Sequence, residues 1–331
     1  MHNTIRWGII STANIGTENV IPAIQQASNC SVEAISSRNQ AVAQSAADRL
    51  NIPRAFGSYE AMLADPDIDA VYNPLPNHLH QEWTLKALEA GKHVLCEKPI
   101  GMNVAEARTI DAAANEHGLK VMEAFMYKLH PSWVKVQELI AEGRIGQVKA
   151  VQSWFSYFND DPTNIRNIAE YGGGALMDIG CYAISASRLA FGDEPDRIEA
   201  TMRRHPQWGT DFTTTALMEF PGGGVADFTV STQMESDQRI SIVGTTGRIE
   251  VEIPFNIPAD IPTRIFVTNG GDAPVNPNTE TIEFAAKNQY TSQAEGFADA
   301  ILNDTQVPTP LSDAIANMDV IDRIVAAADR A

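Results

Sequence analysis

Three polar side chains, those of Lys98, Asp178 and Tyr182, are of types that could transfer a proton and orient a hydroxyl group. Lys98 lies between an acidic residue and a proline, and Asp178 and Tyr182 follow the glycine run 172–174. Asp178 and Tyr182 are four residues apart, which places them on one face of a helix. A fixed ammonium near a phenol lowers the pKa of that phenol, which is about 10 when unperturbed. We predict that Lys98 and Tyr182 exchange the proton of an alcohol and that Asp178 orients the hydroxyls or the lysine. The alternative is a structural role for each: an ion-paired lysine, a helix-start carboxylate and a core tyrosine.

The segment after the first predicted strand stands where dinucleotide-binding proteins carry the glycine fingerprint GxGxxG. Here Ser11 and Ala13 replace the first two glycines, and Gly16 keeps the third. Small side chains still let the backbone approach a pyrophosphate at a helix N-terminus, where amide donors and the helix dipole favour anions. The alternative is an ordinary strand-to-helix turn. The predicted pyrophosphate contacts are Ser11, Thr12, Ala13, Asn14 and Ile15.

The residues after the second predicted strand indicate which cofactor is preferred. An NAD site usually carries a carboxylate there, for the ribose 2′-hydroxyl. This sequence has Ser36, Ser37, Arg38 and Asn39 instead. A guanidinium and neighbouring hydroxyls suit a 2′-phosphate. We therefore predict NADP in preference to NAD, with Ser37 and Arg38 as contacts; the alternative for Arg38 is a solvated surface arginine.

Two further segments, 73–80 and 97–99, follow predicted parallel strands, at the end where open α/β sheets bind ligands. His78 and His80 could suggest a metal pair, but no third ligand has a fitting spacing, so we predict no metal site. We expect His80 to cap a helix or to contact the ribose. Arg166 is a candidate for positioning the cofactor or the substrate. The cofactor contacts predicted outside the first two segments are Leu75, Pro76, Asn77, His80, Glu97, Lys98 and Arg166.

The order of strand and helix patterns predicts an α/β fold with two domains. Short apolar runs alternate with helical patterns over the first 125 residues, which requires crossover connections and a parallel sheet. Later strand-like runs, such as 197–203, 212–220 and 225–231, follow one another without helices and predict a mostly antiparallel sheet, with a loop at 269–280. We predict a doubly wound Rossmann domain at 1–126 for NAD(P). The second domain, at 127–331, has a large open sheet and is predicted to bind the substrate.

Composition and charge exclude several classes of partner. The 331 residues carry 24 Lys and Arg against 42 Asp and Glu, a net charge of −18, which disfavours nucleic acid and anionic membranes. Cys30, Cys96 and Cys181 are widely spaced and form no CxxC pair, so we expect no disulfide framework. No apolar run approaches the ~18 residues of a membrane span, and the first residues lack a secretory signal. We therefore expect a cytoplasmic protein.

Taken together, the motifs resemble those of the Gfo/Idh/MocA family. The matching patterns are Pro76-Asn77-x-x-His80, Glu97-Lys98-Pro99 and the stretch from Gly172 to Tyr182. Segments 123–127 and 164–167 are similar to the branch of NADP-linked D-xylose 1-dehydrogenases and dimeric dihydrodiol dehydrogenases. The resemblance implies that Lys98 and Tyr182 are the acid–base pair, supported by Asp178. It also implies a homodimer formed through the open sheet of the C-terminal domain.

The function expected on these grounds is NADP-dependent oxidation of an aldose at C1 to the lactone, on a small-molecule sugar or polyol substrate. Within the same class, the alternatives are a dihydrodiol dehydrogenase, a 1,5-anhydrofructose reductase and an aldose–aldose oxidoreductase that retains its cofactor. A different class also stays open: a regulator that senses NADP or sugar without catalysis. The three residues Lys98, Asp178 and Tyr182 count against the regulator, because a sensor needs no acid–base pair.

Overall fold

The computed structural model describes residues 4–272 and 276–330, without the side chains of 271, 272, 276 and 277. Its contacts divide the chain into two compact units: Met1–Leu129 with Gln289–Met318, and His130–Asn288 with Asp319–Ala331. The chain thus leaves the first unit after Leu129 and returns to it at Gln289. The predicted division of binding roles between 1–126 and 127–331 stays a prediction.

A six-stranded sheet forms the centre of the first unit. All of its pairings are parallel, in the order β3-β2-β1-β4-β5-β6. Strand β4 is buried along its whole length, as expected where crossover helices cover both faces of a parallel sheet. The predicted Rossmann architecture is therefore confirmed. The strands are β1 (Ile5–Ile9), β2 (Cys30–Ser36), β3 (Arg54–Phe56), β4 (Ala70–Asn73), β5 (His93–Cys96) and β6 (Val121–Glu123).

The helices of the first unit begin and end at signals in the sequence. The Asn103 side chain accepts a hydrogen bond from the backbone N of Glu106 (3.0 Å), and the Glu106 carboxylate accepts one from Met102 N (2.8 Å). Gly118 ends the same helix with a left-handed φ of 65°. The helices are α1 (Ile21–Gln26), α2 (Gln40–Leu50), α3 (Tyr59–Leu63), α4 (His80–Glu89) and α5 (Val104–His117).

The second unit contains an eight-stranded sheet in the order β14-β13-β12-β11-β7-β10-β9-β8. β7 and β10 run parallel, and the remaining pairings are antiparallel, which confirms the predicted mostly antiparallel sheet. The helices are α6 (Pro131–Ala141) and α7 (Cys181–Phe191). The strands are β7 (Val148–Phe158), β8 (Arg197–Arg204), β9 (Asp211–Phe220), β10 (Gly224–Ser231), β11 (Gln233–Gly244), β12 (Gly247–Val251), β13 (Thr263–Asp272) and β14 (Asn276–Phe284).

The prediction of a loop at 269–280 is wrong for most of this segment. Residues 269–272 belong to β13 and residues 276–280 to β14, because the two strands pair as an antiparallel edge hairpin. Residues 273–275 lie outside the described residues.

The last two helices are α8 (Gln289–Leu302) and α9 (Leu311–Ala328). In the first unit, α8 contributes Ala294, Phe297 and Ala298 to the core that also contains Trp7 and Ile21. The rings of Trp7 and Phe297 lie 5.7 Å apart between centroids. The core that supports the parallel sheet therefore draws on residues from both ends of the chain.

Candidate active site

Lys98 stands just beyond β5, at the edge where the parallel strands end. The preceding residue, Glu97, accepts a hydrogen bond at Oε1 from the Tyr72 phenol (2.6 Å) and at Oε2 from the backbone N of Lys98 (3.3 Å). Tyr72 is fully buried, and burial together with the Glu97 charge raises its pKa well above the usual value. Tyr72 therefore keeps its proton and donates, and Glu97 organises the turn that carries Lys98.

The two residues after Lys98 are held by separate partners. Nδ1 of His80 lies 2.7 Å from the carbonyl oxygen of Pro99. The backbone N of Ile100 donates to Oε1 of Glu123, at 2.8 Å, and Glu123 itself is buried. The backbone around Lys98 is thus held on both sides by side chains from neighbouring elements.

His80 contacts a second backbone segment as well. Its Nε2 lies 2.6 Å from the carbonyl oxygen of Leu75, and its side chain is fully buried. Burial lowers the pKa of His80 to about 4, although the carbonyls of Pro99 and Leu75 act in the opposite direction. The predicted contact of His80 with the cofactor stays a prediction, and in this structure both ring nitrogens face protein carbonyls. Pro76 and Asn77, in the turn after β4, are half-buried.

The segment after β1 begins with a residue in the left-handed region of the backbone. Ser11 has a φ of 69°, in the left-handed region that favours glycine, and its Oγ accepts from Ala13 N (3.3 Å). A Cβ on Gly16 would lie 3.5 Å from Cε1 of Tyr72, so a larger side chain there would press on the ring. Thr12 and Ile15 are half-buried and Asn14 is exposed, ahead of a wide π-type turn at Gly16–Val20. These features fit a bound pyrophosphate despite the missing glycines.

Arg38 lies just beyond β2, and its side chain is exposed. Its charge lies beside the Tyr59 hydroxyl: burial raises the pKa of Tyr59, and Arg38 opposes that shift. Within the described part of the chain, Arg38 forms no ion pair. Ser37 Oγ accepts from Asn39 N (3.4 Å), and the Asn39 side chain caps α2. The guanidinium is therefore available to an anion.

In the second unit, two side chains hold the carboxylate of Asp178. Oδ2 of Asp178 accepts from the Tyr157 phenol (2.6 Å) and lies 3.0 Å from Nε of Arg166. Burial and the Asp178 charge raise the pKa of Tyr157, so this phenol is a donor at neutral pH. The Asp178 charge also raises the pKa of Arg166. The structure thus brings Asp178 and Arg166 together, around one oxygen.

Tyr182 lies in the first turn of α7 and is 4% exposed. Its ring packs against Phe155 (5.8 Å between centroids) and Phe255 (5.4 Å). These rings fix the plane of the phenol, since aromatic pairs at such distances prefer defined orientations. Asp178 belongs to a π-type turn at Leu176–Gly180, which differs from the regular helix predicted for this stretch. Such turns are frequent at functional sites.

A buried carboxylate holds the glycine segment that leads to Asp178. Oδ2 of Asp211 accepts from Leu176 N (2.8 Å) and from Oγ1 of Thr214 (2.6 Å). Burial raises the pKa of Asp211, and these hydrogen bonds oppose the shift. Gly174 has a φ of 121°, and a Cβ there would overlap Oδ1 of Asp211. Gly174 N also donates to the carbonyl oxygen of Arg166 (2.8 Å), so this segment positions the partners of Asp178.

The sequence patterns did not single out Tyr157 or Asp211, and Glu123 entered only as part of the segment 123–127. Tyr157 stands in β7 and Asp211 starts β9, and each is separated from its partner by more than 20 residues. No local spacing rule connects such positions, because the sheet brings them together. The only local signal for Tyr157 in the sequence is its place near the end of the strand-like run 148–158.

Residues 4–272 and 276–330 contain neither a membrane-spanning helix nor a cluster of metal ligands. None of the helices there combines the length and the apolar character needed to cross a bilayer. Nor do three or more His, Cys, Asp or Glu side chains gather there in a way that could hold a metal ion.

Comparison with known proteins agrees with this geometry. Residues 5–125 match the model of an oxidoreductase family with an NAD-binding Rossmann fold, and residues 133–250 match the GFO/IDH/MocA C-terminal domain. The fold and the matches define an NAD(P)-binding oxidoreductase. The chain belongs to the Gfo/Idh/MocA family, which confirms the resemblance seen in the motifs.

Three relatives illustrate the similarity. An uncharacterized oxidoreductase of Rhizobium meliloti, ORF334, is 42% identical, over 98% of this chain and 97% of its own. D-xylose 1-dehydrogenase (NADP(+)) 2 of Haloferax volcanii is 38% identical, again over 98% and 97%. The crystal structure of KijD10, a 3-ketoreductase from Actinomadura kijaniata in complex with NADP and TDP-benzene, has a TM-score of 0.91. It is 30% identical and covers 98% of both chains.

Proposed function

We propose that this oxidoreductase oxidises an aldose at C1 to the lactone, with NADP as cofactor. The observation that carries the proposal is the held carboxylate of Asp178, with Tyr157 and Arg166 on one oxygen. A carboxylate fixed in this way can accept hydrogen bonds from sugar hydroxyls in one defined orientation. The similarity to a D-xylose 1-dehydrogenase over nearly the whole chain supports a sugar as substrate.

The proposed chemistry divides between the cofactor and three side chains. NADP, when bound, supplies the hydride acceptor at nicotinamide C4. As the C1–H bond breaks and C1 becomes a carbonyl, Tyr182 accepts the proton of the C1 hydroxyl at its phenolic oxygen. The Lys98 ammonium favours the phenolate form that this transfer requires. Asp178 binds a neighbouring hydroxyl and keeps the sugar in position. The reverse reaction would use Tyr182 as the proton donor.

A relative supports the roles of Lys98 and Tyr182. The A. kijaniata 3-ketoreductase has been crystallised with one lysine replaced by alanine or glutamate, and with one tyrosine replaced by phenylalanine. These two positions are as far apart in that chain as Lys98 and Tyr182 are in this one. We infer that the pairs correspond.

The preference for NADP rests on Arg38. Its guanidinium is exposed at the end of β2, beside Tyr59, where the 2′-phosphate of NADP would lie. NADP is also present in the structure of the 3-ketoreductase and in the name of the D-xylose enzyme. In this proposal, residues 1–126 bind the nucleotide, through segments 11–15, 37–38 and 75–77 together with Glu97 and Lys98. Residues 127–331 bind the sugar, with Arg166 on the substrate side.

The proposal is tested by measuring turnover on a panel of aldoses that includes D-xylose and D-glucose, with NADP and with NAD. Appearance of reduced nicotinamide, together with chemical detection of the lactone, is the expected result. The second candidate function is that of a reductase, which the likeness to the 3-ketoreductase favours. Reduction of keto sugars with NADPH, without oxidation of aldoses, would support this reductase and contradict aldose oxidation. Saturable NADP binding without turnover of any substrate would indicate a regulator.

The same assay separates the remaining alternatives. Turnover of trans-dihydrodiols in preference to aldoses would identify a dihydrodiol dehydrogenase, and reduction of 1,5-anhydrofructose the corresponding reductase. A protein that purifies with reduced-nicotinamide absorbance and converts two aldoses without added cofactor would be an aldose–aldose oxidoreductase. We also propose that the activity is cytoplasmic, because three widely spaced cysteines without a CxxC pair are typical of a reducing compartment.

We further propose a homodimer formed through the sheet of the second unit. A groove of about 760 Å³ crosses this sheet, and Trp154, Arg239 and Phe266 contribute to its lining. Val225, Leu217 and Val243 are each 38% exposed on strands of the sheet. Val225→Arg should convert a dimer to a monomer in light scattering, whereas Val42→Arg, on exposed α2, should leave the mass unchanged. A wild-type monomer would contradict the proposal.

A further inference from the structure

We propose that His80 is a positioning residue that sets the spacing between two segments of the first unit, one for binding the cofactor and one for presenting Lys98. Its ring stands between the carbonyl oxygens of Leu75 and Pro99, at 2.6 and 2.7 Å. Leu75 opens the turn after β4, and Pro99 directly follows Lys98. The inference rests on the proposed function only where turnover of an aldose is measured. The measurement of NADPH binding does not depend on that function.

The surroundings of His80 hold the ring firmly in place. Asn73, the last residue of β4, donates from Nδ2 to the carbonyl oxygen of His80 and to Oγ1 of Thr84, each at 3.3 Å. The Asn73 Oδ1 accepts from Leu75 N, also at 3.3 Å. Asn73, Thr84 and His80 are fully buried. The histidine is therefore fixed at the start of α4 and can act as a spacer of constant length.

The two ring nitrogens act on different segments. Burial lowers the pKa of His80 to about 4, so at neutral pH the ring carries one N–H and donates to one carbonyl at a time. The other nitrogen then carries a lone pair that faces the oxygen of the second carbonyl, so that contact sets a distance by packing and is not a hydrogen bond. Movement on the Leu75 side would displace the turn with Pro76 and Asn77, and movement on the Pro99 side would displace Lys98. Errors of about 1 Å in positioning can cost about 100-fold in rate.

Two conservative substitutions separate these contacts. The amide of asparagine reaches about as far as Nδ1, and the amide of glutamine about as far as Nε2. His80→Asn should therefore keep the contact to Pro99 and lose the one to Leu75. His80→Gln should keep the contact to Leu75 and lose the one to Pro99. A residue that only fills space would give two variants with the same defects.

The experiment compares NADPH affinity, measured by fluorescence titration, with kcat on the best aldose. We expect His80→Asn to raise the Kd for NADPH about tenfold, with kcat close to wild type. We expect His80→Gln to lower kcat about tenfold or more, with the Kd for NADPH close to wild type. Equal changes of both quantities in both variants, or no change in either, would overturn the inference.

The controls distinguish a failure of this inference from a failure of the proposed function and from a failure of the variants to fold. A wild type without turnover would contradict the proposed function, and the comparison of NADPH affinities would still decide the inference. If neither variant folds, as judged by thermal unfolding, the ring nitrogens of His80 are followed by NMR in the ¹⁵N-histidine-labelled wild type. Saturation with NADP should then shift these resonances, and unchanged resonances would contradict the inference.

Discussion

The phenol of Tyr157 donates to the carboxylate of Asp178 at 2.6 Å, and Nε of Arg166 lies 3.0 Å from the same oxygen. A residue of β7 and a residue of the short 3₁₀ helix Ile165–Asn167 thus meet at one oxygen of Asp178, which stands in the π-type turn Leu176–Gly180. The carboxylate keeps its orientation before any sugar arrives, so binding does not have to order it.

Removal of the phenol should weaken sugar binding more than the chemical step. In Tyr157→Phe, Asp178 retains Arg166 but loses a strong donor, and we expect KM for the sugar to rise about tenfold. The affinity for NADPH should not change. Steady-state kinetics with Tyr171→Phe as the control tests this, since Tyr171 is exposed. An unchanged KM would remove Tyr157 from the site.

Tyr182→Phe, unlike Tyr157→Phe, should lower the turnover number and not raise KM for the sugar. Loss of the proton acceptor is expected to lower kcat by about 10²–10⁴-fold, because general base catalysis contributes on that order. NADPH should bind within about twofold of the wild-type affinity, and the aromatic packing with Phe155 and Phe255 is retained. A variant that turns over at nearly the wild-type rate would falsify the assignment.

Cofactor choice should depend on Arg38. We expect Arg38→Ala to raise KM for NADP about tenfold or more, because a charged contact to the 2′-phosphate is lost. KM for NAD should change by less than about twofold. Arg49→Ala, an exposed arginine at the end of α2, is the matched control. Equal effects on the two cofactors would place the phosphate elsewhere.

The glycine segment before Asp178 predicts a difference between two Gly→Ala variants. Gly192→Ala meets no atom within 4 Å and should cost only the strain of a left-handed φ, about 1 kcal/mol. Gly174→Ala carries a larger backbone strain, because a φ of 121° lies outside the left-handed helical region, and must also displace Asp211, so we expect a loss of about 3 kcal/mol or more. Urea unfolding measures both free energies. Equal losses would mean that Asp211 moves aside freely.

Stability should fall as the pH drops from about 6.5 towards 4. Burial lowers the pKa of His80, His93 and His130 to about 4 each. Since these side chains gain a proton more readily when unfolded, the stability that they contribute above the unfolded pKa is lost on acidification, about 1–3 kcal/mol each.

The matched variant for this prediction is His130→Asn. Asparagine keeps the N-cap of α6, where His130 accepts from Ser132 N (3.2 Å), but it does not titrate. Urea unfolding at several pH values should therefore give a smaller acid loss in His130→Asn than in wild type. Parallel curves for His130→Asn and wild type would contradict the prediction.

The sequence predicted the parts of the fold that depend on local signals. Apolar runs such as Ile5–Ile9 and the capped helix after Asn103 were recognisable, because burial and capping leave a pattern within a few residues. β3 was not recognised, since it has three residues, all half-buried. The sequence of the edge hairpin β13-β14 predicts a loop, because its glycines, asparagines and prolines are typical of turns.

The candidate site, like the fold, was predictable only where its residues stand in local motifs. Lys98 and Asp178 stand in short motifs, whereas Tyr157 and Asp211 reach the site through sheet pairing over long sequence distances. His80 was recognised by its motif, but its two contacts with backbone carbonyls require three-dimensional information.

The return of the chain at Gln289 has a practical consequence for protein engineering. An expression fragment ending at Leu129 would leave Trp7 and its neighbours without Phe297 and would tend to aggregate. The second unit, by contrast, consists of residues 130–288 together with 319–331, so the chain passes between the two units three times. A chimera that exchanges the second unit between relatives therefore has to preserve three junctions, at 129/130, 288/289 and 318/319.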